Sequence, residues 1–292
     1  MNKKLIRNLG IFVFMVIASG WLGVAVDSFI PEQPQGDSLG MGIWLVLPLL
    51  TAVIIILFSR VNWEEFGFRS KLKGNLKWYL ASVLIFPVVT SIVLIIGALT
   101  NWMDLSALNV KRLILAFCSS LYINFIIDFF EETAWRGYLT SQLLKFNLTD
   151  WKIYLVVGCV WGLWHIPYYL VFLPQTDIQS VMHVSRGIYT VVAFITLISW
   201  SVMFTELFRV TESIWPCVIL HMVEDSFTNL IVISGYISIA SGKEILVSPI
   251  NGIIPSMLYV AIGLGIRAYR RHKYYRNNSI VFCHSCPISQ KS

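Results

Sequence analysis

Long apolar segments constrain this chain more than any other feature of its sequence. A helix needs about 20 residues to cross the hydrocarbon core of a bilayer. Because a backbone in lipid must satisfy its own hydrogen bonds, each spanning segment is expected to be helical. The sequence therefore predicts an all-α fold, a polytopic membrane bundle of about eight transmembrane helices. The predicted spans are roughly 8–30, 42–59, 77–99, 113–139, 151–173, 187–208, 214–236 and 249–268.

The composition agrees with a membrane protein and excludes several classes of soluble protein. Of the 292 residues, 57% are hydrophobic and 13% are charged. Soluble domains carry about 45–50% apolar and about 25% charged residues. So few charges could not cover a soluble globule of this size, which excludes an ordinary cytosolic enzyme, a disordered chain and a nucleic-acid binder.

The distribution of basic residues predicts the orientation of the bundle. If the N-terminus is cytoplasmic and the spans alternate, 17 of the 22 Lys and Arg residues fall inside and four outside, with Arg136 within a span. Lys and Arg accumulate in cytoplasmic loops. We therefore expect an even number of spans and two cytoplasmic termini. Short loops and the lack of an organellar signal favour a bacterial cell membrane.

Ionisable residues inside the spans are the candidate functional groups, because an intramembrane charge is costly and usually functional. They are concentrated in the fourth, fifth and seventh predicted spans. They are Asp128, Glu131, Glu132 and Arg136, then His165, and finally His221, Glu224 and Asp225.

Helical spacing separates the roles of the two adjacent glutamates. Residues four apart share one face of a helix, whereas neighbours diverge by about 100°. Glu132 and Arg136 are four apart and can form an ion pair along one face. Glu131 points elsewhere and is free to face a cavity. The alternative is that both glutamates only pair with cations, but Arg136 alone cannot satisfy two buried carboxylates.

The two histidines suggest activation of water. Trp161 shares a face with His165, and His221 shares one with Asp225. A lone histidine in a span can serve only as a hydrogen-bonding group between helices, and a His–Asp pair can orient an imidazole or bind a metal. Together with Glu131 these residues suit a general base, a water or metal ligand and an oxyanion support. A serine mechanism is not expected.

Three short motifs resemble those of a known family. They are Glu131-Glu132-Thr-Ala-Trp-Arg136, Trp161-x-x-x-His165 and His221-x-x-x-Asp225. In this order, on successive helices, they resemble the Glu-Glu-x-x-x-Arg, Phe-x-x-x-His and His-x-x-x-Asn/Asp motifs of the CPBP family of intramembrane proteases. That family includes type II CAAX prenyl endopeptidases and bacterial Abi-type bacteriocin-processing or immunity proteins. The resemblance covers roughly residues 113–232.

The resemblance implies an eight-helix membrane endopeptidase with a catalytic core in 113–236. This core would follow N-terminal helices in 1–112 and precede the last helix and a cytoplasmic tail in 237–292. The implied roles are water activation, oxyanion support, structural assistance and an aromatic wall. Glu131 and His165 would activate water, and His221 and Asp225 would support the oxyanion. Glu132 and Arg136 would assist structurally, and Trp161 would form the aromatic wall.

One departure from the family pattern concerns Asp225, where many members have Asn. An Asn amide can donate to an oxyanion, whereas an ionised carboxylate would repel it. Asp225 is therefore expected to be protonated, to orient His221 or to bind a metal. If a metal such as zinc is present, the expected ligands are His165, His221 and Asp225. A mechanism without metal is favoured, because Asn and Asp both occur at this place in the family.

The expected partners are a peptide or protein substrate at the membrane and the lipid bilayer itself. Two other functions stay open: a non-proteolytic immunity or binding protein, and a proton-coupled transporter that uses the same residues as a relay. The sequence contains no internal repeat of the kind that transporters often have. The Cys283-His-Ser-Cys286 segment has no second cysteine pair, so neither redox function nor a zinc site is expected there.

Overall fold

The computed structural model describes residues 3–30, 32–34, 36–59 and 63–284. Their fold is helical, apart from a short antiparallel pair of strands, β1 (Met103–Asp104) and β2 (Ser238–Ile239). The helices are α1 (Lys3–Asp27), α2 (Leu39–Ser59), α3 (Leu76–Leu99), α4 (Val110–Glu132), α5 (Ser141–Leu143), α6 (Asp150–Pro167), α7 (Gln175–Val181), α8 (Arg186–Thr211), α9 (Trp215–Val223), α10 (Leu230–Ile233), α11 (Glu244–Val247) and α12 (Ile253–His284).

Seven helical segments within the described ranges are long and apolar enough to cross a membrane, so the predicted polytopic bundle is confirmed. Each contains or overlaps one of the first seven predicted spans. They are Lys3–Asp27, Leu39–Phe58, Leu76–Leu99, Val110–Leu143, Asp150–Phe172, Arg186–Thr211 and Trp215–Ile233.

The eighth predicted span, 249–268, differs from the prediction. It lies mostly in α12, whose apolar part covers only 253–266 before Arg267, Arg270 and Arg271 follow. At 1.5 Å per residue this part is about 21 Å long, which is shorter than the hydrocarbon core of about 30 Å. By length and composition, the described residues therefore hold seven candidate spans and not eight. Helix α12 still packs closely on α8.

Contacts between loops show how the helices alternate. At one end, which we call the basic end, Lys145 pairs with Glu65 at 2.5 Å and Arg209 pairs with Asp150 at 2.8 Å. These pairs join the segment before α3 to the loop after α5, and the start of α6 to the end of α8. The two β-strands join the loops after α3 and α10 at the opposite end. The chain thus runs up and down between two ends.

Three π-helical turns interrupt the spans that carry the motifs. They are Thr133–Thr140, Tyr168–Phe172 and Glu224–Asn229. The second begins directly after Pro167, whose ring nitrogen cannot donate to the carbonyl four residues earlier. In the first, the Thr140 hydroxyl donates to the Trp135 carbonyl, five residues earlier, at 2.8 Å. Such turns are frequent at functional sites, and each of these lies within or beside one motif.

Two close approaches fix the helix that carries His165. A Cβ atom built at Gly20 of α1 would lie 2.5 Å from the ring of Pro167, so only glycine allows this contact. On α2, the Trp44 indole donates to the Trp164 carbonyl at 2.9 Å, and the Trp164 indole donates back to the Trp44 carbonyl at 3.1 Å. Helices α1 and α2 therefore hold the end of α6 in place.

Candidate active site

A cavity of about 290 Å³ lies among α2, α4, α6, α8 and α9. It brings together four residues that the sequence predicted to act in catalysis: Glu131, His165, His221 and Asp225. Trp161 also lines the cavity. Glu131 and His221 are buried, and His165 is 9% exposed. Glu132 and Arg136 are fully buried and do not line the cavity, so they support it from behind.

Glu131 is held by two indole groups. Its Oε2 atom accepts hydrogen bonds from Trp135 Nε1 at 3.1 Å and from Trp161 Nε1 at 3.2 Å. No cation among the described residues forms a salt bridge with Glu131. These contacts therefore disagree with the alternative in which Glu131 only pairs with a cation. A carboxylate held by neutral donors keeps its capacity to accept a proton.

Glu132 connects two helices. Its Oε1 atom accepts from Arg136 Nη1 at 2.7 Å, which is the pair that the spacing predicted. The same oxygen lies 3.0 Å from His221 Nδ1 on α9. An imidazole nitrogen that faces a carboxylate carries the hydrogen, so Nδ1–H donates to Glu132 and Nε2 is the nitrogen left for the cavity.

Arg136 and Trp161 form a second layer behind the two glutamates. The Arg136 guanidinium lies 4.3 Å from the ring centroid of Trp161 and 4.3 Å from that of Phe204, close enough for cation–π attraction. The sequence assigned Trp161 only an aromatic wall. Its indole N–H also donates to Glu131, a hydrogen bond that a phenylalanine ring could not make.

His165 is oriented by the backbone of its own helix. Its Nδ1 atom lies 3.0 Å from the Trp161 carbonyl oxygen, which can only accept a hydrogen bond. Nδ1 therefore carries the hydrogen, and Nε2 has a free lone pair. The Tyr169 ring stacks on the imidazole at 5.3 Å with an interplanar angle of 19°. In the neutral ring, Nε2 can therefore accept a hydrogen bond or a proton.

Asp225 does not accept the Nδ1 hydrogen of His221, since Glu132 does. Its Oδ1 atom instead accepts from Asn229 Nδ2 at 2.7 Å, within the π-helical turn that begins at Glu224. A potential ligand atom of Asp225 still lies within 4.8 Å of one on His221. That Asp225 is protonated or binds a metal stays a prediction.

The match to known families covers this site. The matched region, 112–227, begins in α4 and ends in the third π-helical turn, so it contains all three motifs. Residues 112–227 match the model of the Rce1-like family of type II CAAX prenyl endopeptidases. This match confirms the resemblance predicted from the motifs, and it supports an intramembrane protease of the CAAX type at the level of the family. A search of curated proteins finds no match to the chain.

Two buried acids of the Rce1-like region were given no role by sequence reasoning. Asp128 lies three residues before Glu131, and Glu224 lies three residues after His221. Both spacings place them on the faces of those residues, so the signal was available. The Asp128 carboxylate lies 3.6 Å from His221 Nδ1.

These acids change the donor set that a metal would meet. Two groups of residues have potential ligand atoms that lie within 4.8 Å of one another. The first group is Asp128, Glu131 and His221, and the second is His221, Glu224 and Asp225. Neither group contains His165, which the sequence included among the ligands. Neither Asp128 oxygen has a hydrogen-bond partner among the described atoms, so the donors would fit a divalent cation. Such a cation would supply Lewis acidity.

A serine nucleophile has no support in the fold, although residues 36–40 read Gly-Asp-Ser-Leu-Gly. A nucleophile elbow needs a sharp turn between a strand and a helix. Here the pattern spans the loop before α2 and the first residues of that helix. The Ser38 hydroxyl accepts from the Met41 backbone N–H at 3.1 Å, as a helix cap does.

We predict that the two glutamates contribute differently to stability. Glu132→Gln leaves the Arg136 guanidinium buried without its counter-charge, and breaking such a pair costs about 3–5 kcal/mol. Glu131→Gln keeps an oxygen that accepts from both indoles, so it should change stability by less than about 1 kcal/mol. Thermal unfolding of the two purified variants in detergent measures this difference. Equal losses of stability would contradict the assignment.

Proposed function

We propose that this protein is an intramembrane endopeptidase that hydrolyses peptide bonds of membrane-associated peptides or proteins. Glu131 and His165 activate the attacking water. The observation that carries the proposal is that one cavity holds two groups suited to bind water. They are a carboxylate that forms no salt bridge among the described residues, and a histidine whose Nδ1 faces a backbone carbonyl and leaves Nε2 to accept. We propose that both accept hydrogens from one water molecule in this cavity.

The proposed reaction begins with water held between these two groups. Glu131 takes a proton from the water as its oxygen attacks the scissile carbonyl carbon. The resulting tetrahedral intermediate carries the negative charge on the former carbonyl oxygen. The proton on Glu131 then passes to the leaving nitrogen, the C–N bond breaks, and a carboxylic acid and an amine are released. The glutamate returns to its starting form.

His221 is proposed to support the oxyanion. Its Nδ1 hydrogen is committed to Glu132, so Nε2 can donate only when the ring carries a second proton. We propose that the ring carries both hydrogens in the active form, with Nδ1–H on Glu132 and Nε2–H available to the oxyanion. Preorganised donors of this kind are worth about 10²–10³-fold in rate. Asp225 would assist as a protonated carboxyl, which can donate a hydrogen bond as Asn would.

The walls of the cavity favour an apolar substrate segment. Met41, Trp44 and Leu45 of α2 line one side, and Tyr168 and Leu197 line others. Apolar and aromatic walls with a few polar groups are typical of sites that bind apolar ligands. The matched family suggests prenylated CAAX substrates, and a bacterial host would suggest peptides or bacteriocins. We propose the broader class, a membrane-associated peptide.

Cleavage of a peptide library by the purified protein tests the proposed activity. Glu131→Gln should lower the rate by at least about 100-fold, because general-base catalysis contributes about 10²–10⁴-fold. Glu65→Gln, at the basic end and outside the cavity, is the matched control and should keep full activity. If the wild type cleaves no peptide in the library, the non-proteolytic binding or immunity function gains support over the peptidase.

Asp225→Asn tests metal dependence. Without a metal, the variant should keep or raise activity, because the amide donates to the oxyanion without a charge. The wild type should then contain no stoichiometric zinc by elemental analysis and should survive a chelator. If the carboxylate is a metal ligand, the variant should lose at least about 10–100-fold in metal affinity or activity. Stoichiometric zinc in the wild type, together with a variant that lacks both zinc and activity, would contradict the metal-independent mechanism.

We also propose that the protein lies in a bacterial cell membrane with both termini in the cytoplasm. Reporter fusions at Asn109, at Lys243 and at Gln35, which lies outside the described residues, should then report the external side. The basic end would face the cytoplasm, in agreement with the excess of Lys and Arg there. A cytoplasmic signal from any of the three fusions would contradict this topology.

A further inference from the structure

Two carboxylates at the basic end form ion pairs with four arginines of α8 and α12. Asp150, the first residue of α6, accepts hydrogen bonds from Arg267 at 2.7 Å, from Arg209 at 2.8 Å and from Arg271 at 2.9 Å. Arg270 lies 3.4 Å from the same carboxylate. Glu206 accepts from Arg209 at 2.9 Å and from Arg270 at 2.6 Å. We call these six residues the arginine cluster. It joins the start of α6 to α8 and α12.

The arginine cluster carries a surplus of two positive charges. Its four guanidinium groups face only two carboxylates. The remaining contact to Glu206 comes from the Tyr154 hydroxyl at 2.5 Å, which adds no charge of its own. Nearby acids have basic partners outside the cluster: Glu65 pairs with Lys145, and Glu212 pairs with Lys71. The surplus therefore has no carboxylate to balance it among these neighbours.

The position of the arginine cluster along α12 places it at the edge of the membrane. The apolar part of this helix ends at Ile266, and Arg267, Arg270 and Arg271 follow within five residues. Trp151, beside Asp150, is 54% exposed, and its ring centroid lies 5.5 Å from the Arg267 guanidinium. Exposed tryptophan is typical of the headgroup region. The surplus charge thus lies at the depth of lipid phosphates.

A second cavity beside the cluster has room for a headgroup. It has a volume of about 500 Å³, and Arg209, Arg270 and Lys273 contribute to its walls. Phe208 and Leu144 supply apolar wall. Glu64, Glu65 and Glu212 also line it, and each pairs with a basic residue, respectively Arg69, Lys145 and Lys71. Cationic groups beside an apolar surface suit a phosphate attached to an acyl chain.

We propose that the arginine cluster binds the phosphate of an anionic membrane lipid. Arg209 and Arg270 face the headgroup from the wall of the second cavity. The half-exposed Arg271 guanidinium, which contacts Asp150 and is not part of that wall, adds a further cation of the same cluster. The bound phosphate balances the surplus charge and ties the short apolar part of α12 to α6 and α8. Basic pockets between transmembrane helices bind anionic headgroups in this way. This site lies apart from the cavity of Glu131 and does not depend on the proposed protease activity.

Thermal unfolding of the purified full chain in a neutral detergent tests the site. Phosphatidylglycerol should raise the unfolding temperature in a saturable way, whereas phosphatidylcholine at the same concentration should not. Arg271→Gln should weaken the apparent affinity for phosphatidylglycerol about five-fold, the amount expected for one cation near an anionic surface. Lys73→Gln, which removes an exposed cation from the same end but outside the cluster, is the matched control and should not weaken it.

A second variant tests the sign of the charge effect. Asp150→Asn removes a carboxylate from the cluster and should tighten binding of phosphatidylglycerol, even if the variant unfolds at a lower starting temperature. Equal temperature shifts with the two lipids would contradict the proposed lipid site. Equal losses of affinity for phosphatidylglycerol in Arg271→Gln and Lys73→Gln would also contradict it. An equal temperature shift with inorganic phosphate alone would overturn the assignment to a lipid. Weaker binding in Asp150→Asn would contradict the surplus of positive charge.

Discussion

The geometry of the candidate site depends on one buried carboxylate oxygen, Oε1 of Glu132. It accepts from Arg136 one turn along the same helix and from His221 on α9. An ion pair removed from water is costly unless further hydrogen bonds satisfy it, so the sharing of this oxygen restrains both helices. The guanidinium in turn lies against Trp161, which donates to Glu131. The support thus extends from Glu132 to the proposed base.

The fold and part of the site follow from the sequence because they depend on local spacing. Hydrophobic length predicted seven of the spans, and a four-residue interval predicted the pair of Glu132 and Arg136. The contact between Glu132 and His221 joins residues 89 positions apart, so no helical period could reveal it. The indole hydrogen bond from Trp161 to Glu131 also crosses between helices. The eighth predicted span is not a candidate span by length and composition, because its apolar part ends before Arg267. Helix α12 nevertheless runs from the end that carries β2 to the arginines at the basic end.

The unassigned acids explain why metal dependence is the least predictable property of the site. Within the described residues, Arg136 is the permanent cation beside six carboxylates that lie in or behind the cavity. These carboxylates are Asp128, Glu131, Glu132, Asp177, Glu224 and Asp225. Buried charges must be neutralised by protons, by partners or by a metal. Shared protons would suit the metal-independent mechanism and would let Asp225 act as Asn does. A cation would draw on donors that differ from the set predicted from the motifs.

In the proposed mechanism, Glu131 activates a water molecule that attacks the peptide bond directly. A single-turnover reaction in ¹⁸O-labelled water, with excess protein over a cleaved peptide, measures this directly by mass spectrometry of the new carboxylate. Direct attack by water predicts one ¹⁸O atom in the product of the first turnover and no label in the peptide that contains Glu131. An unlabelled first product, with ¹⁸O retained in the Glu131 carboxylate, would show a covalent intermediate and contradict the account.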